Sequence, residues 1–307
     1  MTEPMTEPMT EPMTEQTAAP RRAPFGVRLR TATSLRGPLC VGIDPHPRLL
    51  AEWGLPDDVA GLETFSLRVV EALAGTVAVL KPQAAFFERH GSRGVAVLER
   101  VLAAAADAGA LTIADAKRGD IGSTMAAYAD AFVGEGSALA ADAVTASPYL
   151  GVGSLAPLLD LAAATGRGVF VLALTSNPEG AQVQHARTPD GRTVAQAVLD
   201  DVRALNAADV AAGRALGSVG AVVGATIGGS GRAHDLAVGG PLLAPGIGAQ
   251  GATADDLRTV FGSALGAVLP SSSREVLRGG PSAAGLRAAA GRALDAVEAA
   301  LGVARSG

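Results

Sequence analysis

Short runs of β-branched and aliphatic residues alternate with alanine-rich stretches along nearly the whole chain, and this alternation constrains the fold more than any other feature of the sequence. Eight strand candidates stand out: Leu39 to Ile43, Val77 to Leu80, Leu111 to Ala114, Ala143 to Ala146, Val169 to Leu174, Ala221 to Thr226, Leu242 to Ala244, and Ala267 to Leu269. Helical candidates lie between them, among them Leu62 to Ala74, Gly94 to Ala108, Thr193 to Gly213 and Ala254 to Phe261, with a last one from Ala283 to Leu301. Neighbouring parallel strands can be joined only by a crossover, so this order predicts parallel strands with helical connections. The connection between Ala146 and Val169 is tight but long enough for a helix.

Open doubly wound sheets share this alternation, and the position of the polar residues separates the two cases. Asp44, Lys81, Asp115 with Lys117, Thr145 with Ser147, Ser176, Gly246 with Gly248, and Ser271 to Arg274 all fall at or just beyond the C-terminal ends of their strands. In a closed barrel those ends converge on one face, whereas in an open sheet they spread along an edge. Eight strands and one convergent polar face predict an α/β fold, a single (β/α)8 TIM barrel. A length of 307 residues accommodates such a barrel, which takes about 250 residues, plus a tail.

The tail is the four-residue repeat MTEPMTEPMTEPMTEQ, whose prolines oppose continuous helix. Residues 1–24 are expected to be a disordered low-complexity segment, and residues 25–304 the catalytic barrel. Glu3, Glu7, Glu11 and Glu15 supply four of the five net negative charges, so the remainder is close to neutral and does not suit nucleic acid. Aromatics are scarce, at 3%, and the core must therefore be aliphatic. The lone Cys40 cannot form an intramolecular disulfide, and it reads as a small core residue. There is no basic, apolar secretory leader, and no apolar run reaches the roughly 18 residues that span a bilayer. A cytoplasmic protein without membrane contact is expected. His46, His90, His185 and His234 are scattered without zinc spacing, and neither GxGxxG after the first strand nor GxxxxGK[ST] occurs.

The chemistry concentrates in Leu111 to Thr124, LTIADAKRGDIGST. Side chains at i and i+2 of a strand share a face, so Asp115 and Lys117 project together from its end. Gly119 and Gly122 would let the chain turn, Ser123 or Thr124 would cap a following helix, and Asp120 would stay on the loop. Lys81 closes the apolar run of the second strand; it either snorkels to solvent or joins this cluster, where pairing would keep both lysines charged in a partly dry pocket. The Asp-Ala-Lys spacing suits a structural ion pair as well as a catalytic one. Ala244 to Gly251, APGIGAQG, and Leu269 to Arg274, LPSSSR, fit a phosphate site, with backbone N–H groups, a Gln250 amide and the Arg274 guanidinium as donors.

With these residues in view, the chain resembles the orotidine 5′-phosphate decarboxylase family, the last enzyme of de novo UMP synthesis. VGIDPHP, LKPQAAFFERHG, DAKRGDIGST, TSNPEG, APGIGAQG and PSSSR occur in that order, from about Arg28 to Leu301, and their wording is similar to the longer bacterial branch. The resemblance implies a cofactor-free, metal-free homodimer acting on orotidine 5′-phosphate. Its charged tetrad would be Lys81, Asp115, Lys117 and Asp120, with Asp120 supplied to the neighbouring subunit and Thr124 beside it. Asp44 would hold the ribose, Ser176 the pyrimidine edge, and Gln250 with Arg274 the phosphate. Asn177 to Arg192, rich in glycine, proline and polar residues, is a candidate lid or an ordinary surface loop. Other functions open to such a barrel are a magnesium-dependent phosphosugar decarboxylase or synthase, a lysine Schiff-base aldolase, and a nonenzymatic phosphate-ligand sensor.

Overall fold

The computed structural model describes residues 22–228, 233–246 and 254–302. Eight parallel strands, β1 (Cys40–Ile43), β2 (Val79–Pro82), β3 (Leu111–Arg118), β4 (Ala143–Ala146), β5 (Gly168–Leu174), β6 (Val219–Val223), β7 (Leu242–Pro245) and β8 (Val268–Ser272), close into a barrel in sequence order. Cys40 of β1 lies beside Val79 on one side and Ser271 on the other, which is the closure itself. The strands are buried almost throughout, because helices cover their outer face and side chains fill the interior. The alternation in the sequence therefore reads correctly as a closed (β/α)8 barrel.

Several boundaries move in a way that matters for the site. β2 runs on through Lys81 and Pro82, and β3 continues to Arg118 with a slip in its register against β4 between Ala114 and Arg118. The sixth strand is Val219–Val223, earlier than the run Ala221 to Thr226 suggests. The helices Ala254–Phe261 and Ala283–Leu301 keep the limits read from sequence. Asp58, Thr193 and Ser282 cap their helices by accepting the N–H three residues on. Neither Ser123 nor Thr124 caps the helix Gly122–Val133; both lie inside it, and Ile121 occupies the cap position without a side-chain bond. Gly122, at φ 53°, makes the turn that starts this helix.

Two apolar layers form. The larger fills the space between strands and outer helices, and the smaller occupies the barrel interior. The interior is closed at its N-terminal end by Phe25, the first residue of a helix, Phe25–Arg36, that the sequence pattern did not reveal. Phe25 is fully buried, and its ring meets Phe170 edge-on at a centroid distance of 5.9 Å. Burying one such ring is worth about 1.5–3 kcal/mol.

Charge fastens the same helix. Asp142, at the entry to β4, accepts from Arg22 at 3.2 Å, from Arg28, and from the backbone N–H of Thr112 at 2.9 Å. Arg22 belongs by sequence to the stretch grouped with the tail, yet it contacts the barrel; residues 1–21, with the tetrapeptide repeat, lie outside the described residues. Among the described residues no helix is long and apolar enough to cross a membrane.

Candidate active site

The C-terminal ends of the strands surround a cavity of about 240 Å³. Lys81, Lys117 and Arg274 bring three cations to its wall, while Asp44 and Asp115 bring two carboxylates. Asp115 is the hub. Its Oδ2 accepts from Lys81 Nζ at 2.8 Å, and its Oδ1 accepts from Lys117 Nζ at 2.6 Å and from the Thr145 hydroxyl at 2.9 Å. Lys81 and Asp115 are buried, with side chains 7% and 9% exposed, whereas the Lys117 side chain remains 43% exposed. Of the two readings open for Lys81, snorkelling is excluded and the paired cluster holds.

Burial by itself would raise the Asp115 carboxyl, but the charges and hydrogen bonds of Lys81 and Lys117 outweigh it and hold that carboxyl well below the usual range. Burial likewise pulls the Lys81 ammonium down, and Asp115 with Asp44 more than reverses this, leaving it above its ordinary value. Asp115 and Lys81 are thus both charged at neutral pH. Cys40, on the same barrel wall, is pushed up to about 12 by burial, so its thiol is no nucleophile.

Local backbone explains how three charges reach one point. Lys117 sits at φ 49°, the one non-glycine in the left-handed region among the described residues, and its Nζ reaches Asp115 Oδ1 two residues back. Gly119 follows because a Cβ there would stand 2.2 Å from the Ser147 carbonyl oxygen at the end of β4. On β1, a Cβ at Gly42 would meet Ser273 Oγ at 2.0 Å, so glycine lets the ends of β1 and β8 close over the cavity.

Asp44 lines the cavity with a buried Oδ1 that has no hydrogen-bond partner in the protein, an acceptor of the kind a ligand hydroxyl satisfies. Arg274 opens a short helix on the rim, exposed and facing the cavity. Asp120 and Thr124 do not line this cavity: Asp120 is half-buried and accepts from the Ile121 N–H at 2.8 Å, and Thr124 is exposed. Ser176 is exposed beyond the end of β5 and does not line it either. Gln250, with Gly248, lies outside the described residues.

Gln83 lines the cavity with no role read for it from sequence, whereas Thr145 reads there only as a strand-end polar residue and Ser271 and Ser273 only as members of the LPSSSR phosphate loop. Gln83 donates from Nε2 to the Asp115 carbonyl at 3.1 Å. The signal for it was available in KPQ, since i+2 from Lys81 returns to the same face of the strand. The segment Asn177 to Arg192 folds as a turn, Pro178–Gly180, and a short helix, Ala181–Gln184. Arg192 then pairs with Asp190 and Asp200, each at 2.7 Å.

Barrel and cavity together define a (β/α)8-barrel protein whose strand-end cavity gathers a buried carboxylate and two lysines. The family description "Orotidine 5′-phosphate decarboxylase / HUMPS family" matches residues 37–289. A Salinispora arenicola protein named orotidine 5′-phosphate decarboxylase is 66% identical over 277 residues, covering 90% of this chain and 98% of that one. A Streptomyces coelicolor protein of the same name is 62% identical over 269 residues, 88% of this chain and 95% of its own. Among solved structures, a crystal structure described as a candidate orotidine 5′-phosphate decarboxylase from Streptomyces avermitilis superposes with a TM-score of 0.88 at 60% identity, covering 92% and 98% of the two chains. Leishmania donovani OMP decarboxylase gives 0.73 at 32% identity, covering 92% of this chain and all of its own. The chain belongs to the orotidine 5′-phosphate decarboxylase / HUMPS family.

Proposed function

We propose that this chain converts orotidine 5′-phosphate to UMP and CO2 in pyrimidine biosynthesis, in the cytoplasm, as a homodimer without metal or cofactor. The observation that carries the reading is the Lys81–Asp115–Lys117 network at the mouth of the barrel, its carboxylate and one lysine buried, with Arg274 on the wall of the same cavity. The names of the relatives support it.

The reaction breaks the bond between C6 of the pyrimidine and its carboxylate. The electron pair stays on C6 in the ring plane, where no carbonyl can delocalise it, so stabilisation must come from fixed charge. Lys117 stabilises that pair and then gives its proton to C6, after which solvent restores the ammonium. Asp115 faces the departing carboxylate and raises the energy of the bound substrate relative to the transition state. Lys81 holds Asp115 ionised. Asp120, which does not line its own cavity, completes the tetrad of a neighbouring subunit, with Thr124 beside it.

Asp44 receives the ribose hydroxyls on its free Oδ1, and Ser176 meets the pyrimidine edge. Arg274 and Gln250 hold the phosphate, whose binding energy draws Asn177 to Arg192 over the site. Loss of orotidine 5′-phosphate absorbance after EDTA treatment, with Lys117→Ala as control, tests the reading. Metal-independent conversion that disappears in the variant supports it; a requirement for magnesium, or undiminished conversion by the variant, refutes it.

A further inference from the structure

The slip in register between β3 and β4 leaves the tetrad's central turn beside a buried hydroxyl. Thr145 is 1% exposed on β4, opposite the segment of β3 where pairing is irregular. Its Oγ1 donates to Asp115 Oδ1 at 2.9 Å and accepts the backbone N–H of Lys117 at 3.0 Å. One hydroxyl has one proton to give, and here it goes to the carboxylate while a lone pair receives the backbone.

We infer that Thr145 is a positioning residue for the reaction: by holding the Asp115 carboxylate and the Lys117 backbone at once, it fixes the direction in which the Lys117 ammonium is presented. The inference rests on the decarboxylase reading proposed above. A left-handed lysine costs roughly 1–2 kcal/mol against ordinary backbone, and such conformations persist only where surrounding contacts determine them. The lysine ammonium cannot supply that constraint, since its stem has four rotatable bonds and 43% of the side chain is exposed. The threonine hydroxyl can, because it sits on a rigid strand and binds the backbone directly.

Asp115 is fixed by the same contact. Lys81 holds one oxygen; on the other, the Thr145 proton adds a second donor beside Lys117, so the carboxylate plane cannot rotate without losing one of them. A small misplacement of a reacting group costs rate far more than affinity, because the phosphate and ribose contacts that dominate binding lie elsewhere.

The test separates hydroxyl from shape. Thr145→Val keeps the branched volume and removes the hydroxyl; Thr145→Ser does the reverse. Steady-state turnover of orotidine 5′-phosphate, UMP affinity and thermal midpoint are measured for both and for the unsubstituted protein. The valine variant is expected to lose about 10- to 100-fold in kcat, the scale of one hydrogen bond to a charged group. KM and UMP affinity should stay within about threefold, and the serine variant should recover most of the rate. If valine retains full kcat, or if both variants lose rate alike, Thr145 acts by packing and the inference falls. Should the unsubstituted protein give no UMP, the reaction assignment fails first and takes this role with it.

Discussion

Replacing Asp115 with asparagine removes the group on which both lysines converge, while leaving the shape of the cavity nearly unchanged. At an effective dielectric of about 20, a charge pair under 3 Å apart gains roughly 6 kcal/mol of gross attraction, most of it offset by the cost of leaving water. The two lysines respond differently. Lys117, 43% exposed, turns toward solvent, and its loss is discounted accordingly. Lys81, 7% exposed, cannot do so, and Asp44 is then the carboxylate lining the cavity among the described residues that offsets its charge. Breaking a buried pair on one side costs about 3–5 kcal/mol. For a chain of this size, with roughly 2.1 cal/mol/K of unfolding entropy per residue, that lowers the thermal midpoint by about 5–8 °C.

The pH dependence has a definite sign. The folded pKa of Asp115 is depressed, so its contribution is complete above about pH 4, the ordinary aspartate range, and fades as pH falls toward the folded value. That of Lys81 is raised, so its contribution is complete below about pH 10.4 and fades as pH rises through the folded value. Unfolding of Asp115→Asn and the parent, followed by circular dichroism across this range, should show a gap that is widest near neutrality and narrows in acid. A gap under about 1 kcal/mol at pH 7, or one that does not change with pH, would refute the claim that Asp115 is what keeps Lys81 charged in the interior.

Arg274→Ala should weaken UMP binding by about 100-fold, near 2.7 kcal/mol, while binding of the phosphate-free nucleoside is unchanged; an equal loss for both ligands in a titration would remove the phosphate role. Mixing Asp120→Ala with Lys117→Ala, each inactive alone, should restore part of the activity as heterodimers form. Verified subunit exchange without recovery would argue that Asp120 acts within its own chain. Asp142→Ala should cost about 2–4 kcal/mol by releasing Arg22, Arg28 and the Thr112 N–H at the opposite end of the barrel, with kcat retained below the unfolding transition. Reduced kcat at unchanged stability would contradict this division between the two ends.

Residue order is enough to set the succession of strands and helices and the face on which the charged residues gather. Both follow from periodicity: alternating apolar runs fix which segments are buried, and a residue at a strand's end is carried to that end whatever the details. It also determined that Asp115 and Lys117 share a side, because i and i+2 do so in any strand. The helix Phe25–Arg36 was missed because Arg28, Arg30 and Arg36 blur its apolar stripe, and its reason for forming lies far away in Phe170 and Asp142.

Tertiary structure alone decided that β3 would run through Lys117 rather than stop at Ala114, since the slip is set by pairing with β4. It decided that Lys81 would be buried, which depends on a carboxylate from the next strand. It also gave Thr145 and Gln83 their partners, and left Asp120, Thr124 and Ser176 away from the cavity beside which their sequence positions would set them. Spacing along one strand is a local quantity that sequence carries. Which hydroxyl faces which carboxylate across two strands depends on a register that only the closed barrel fixes.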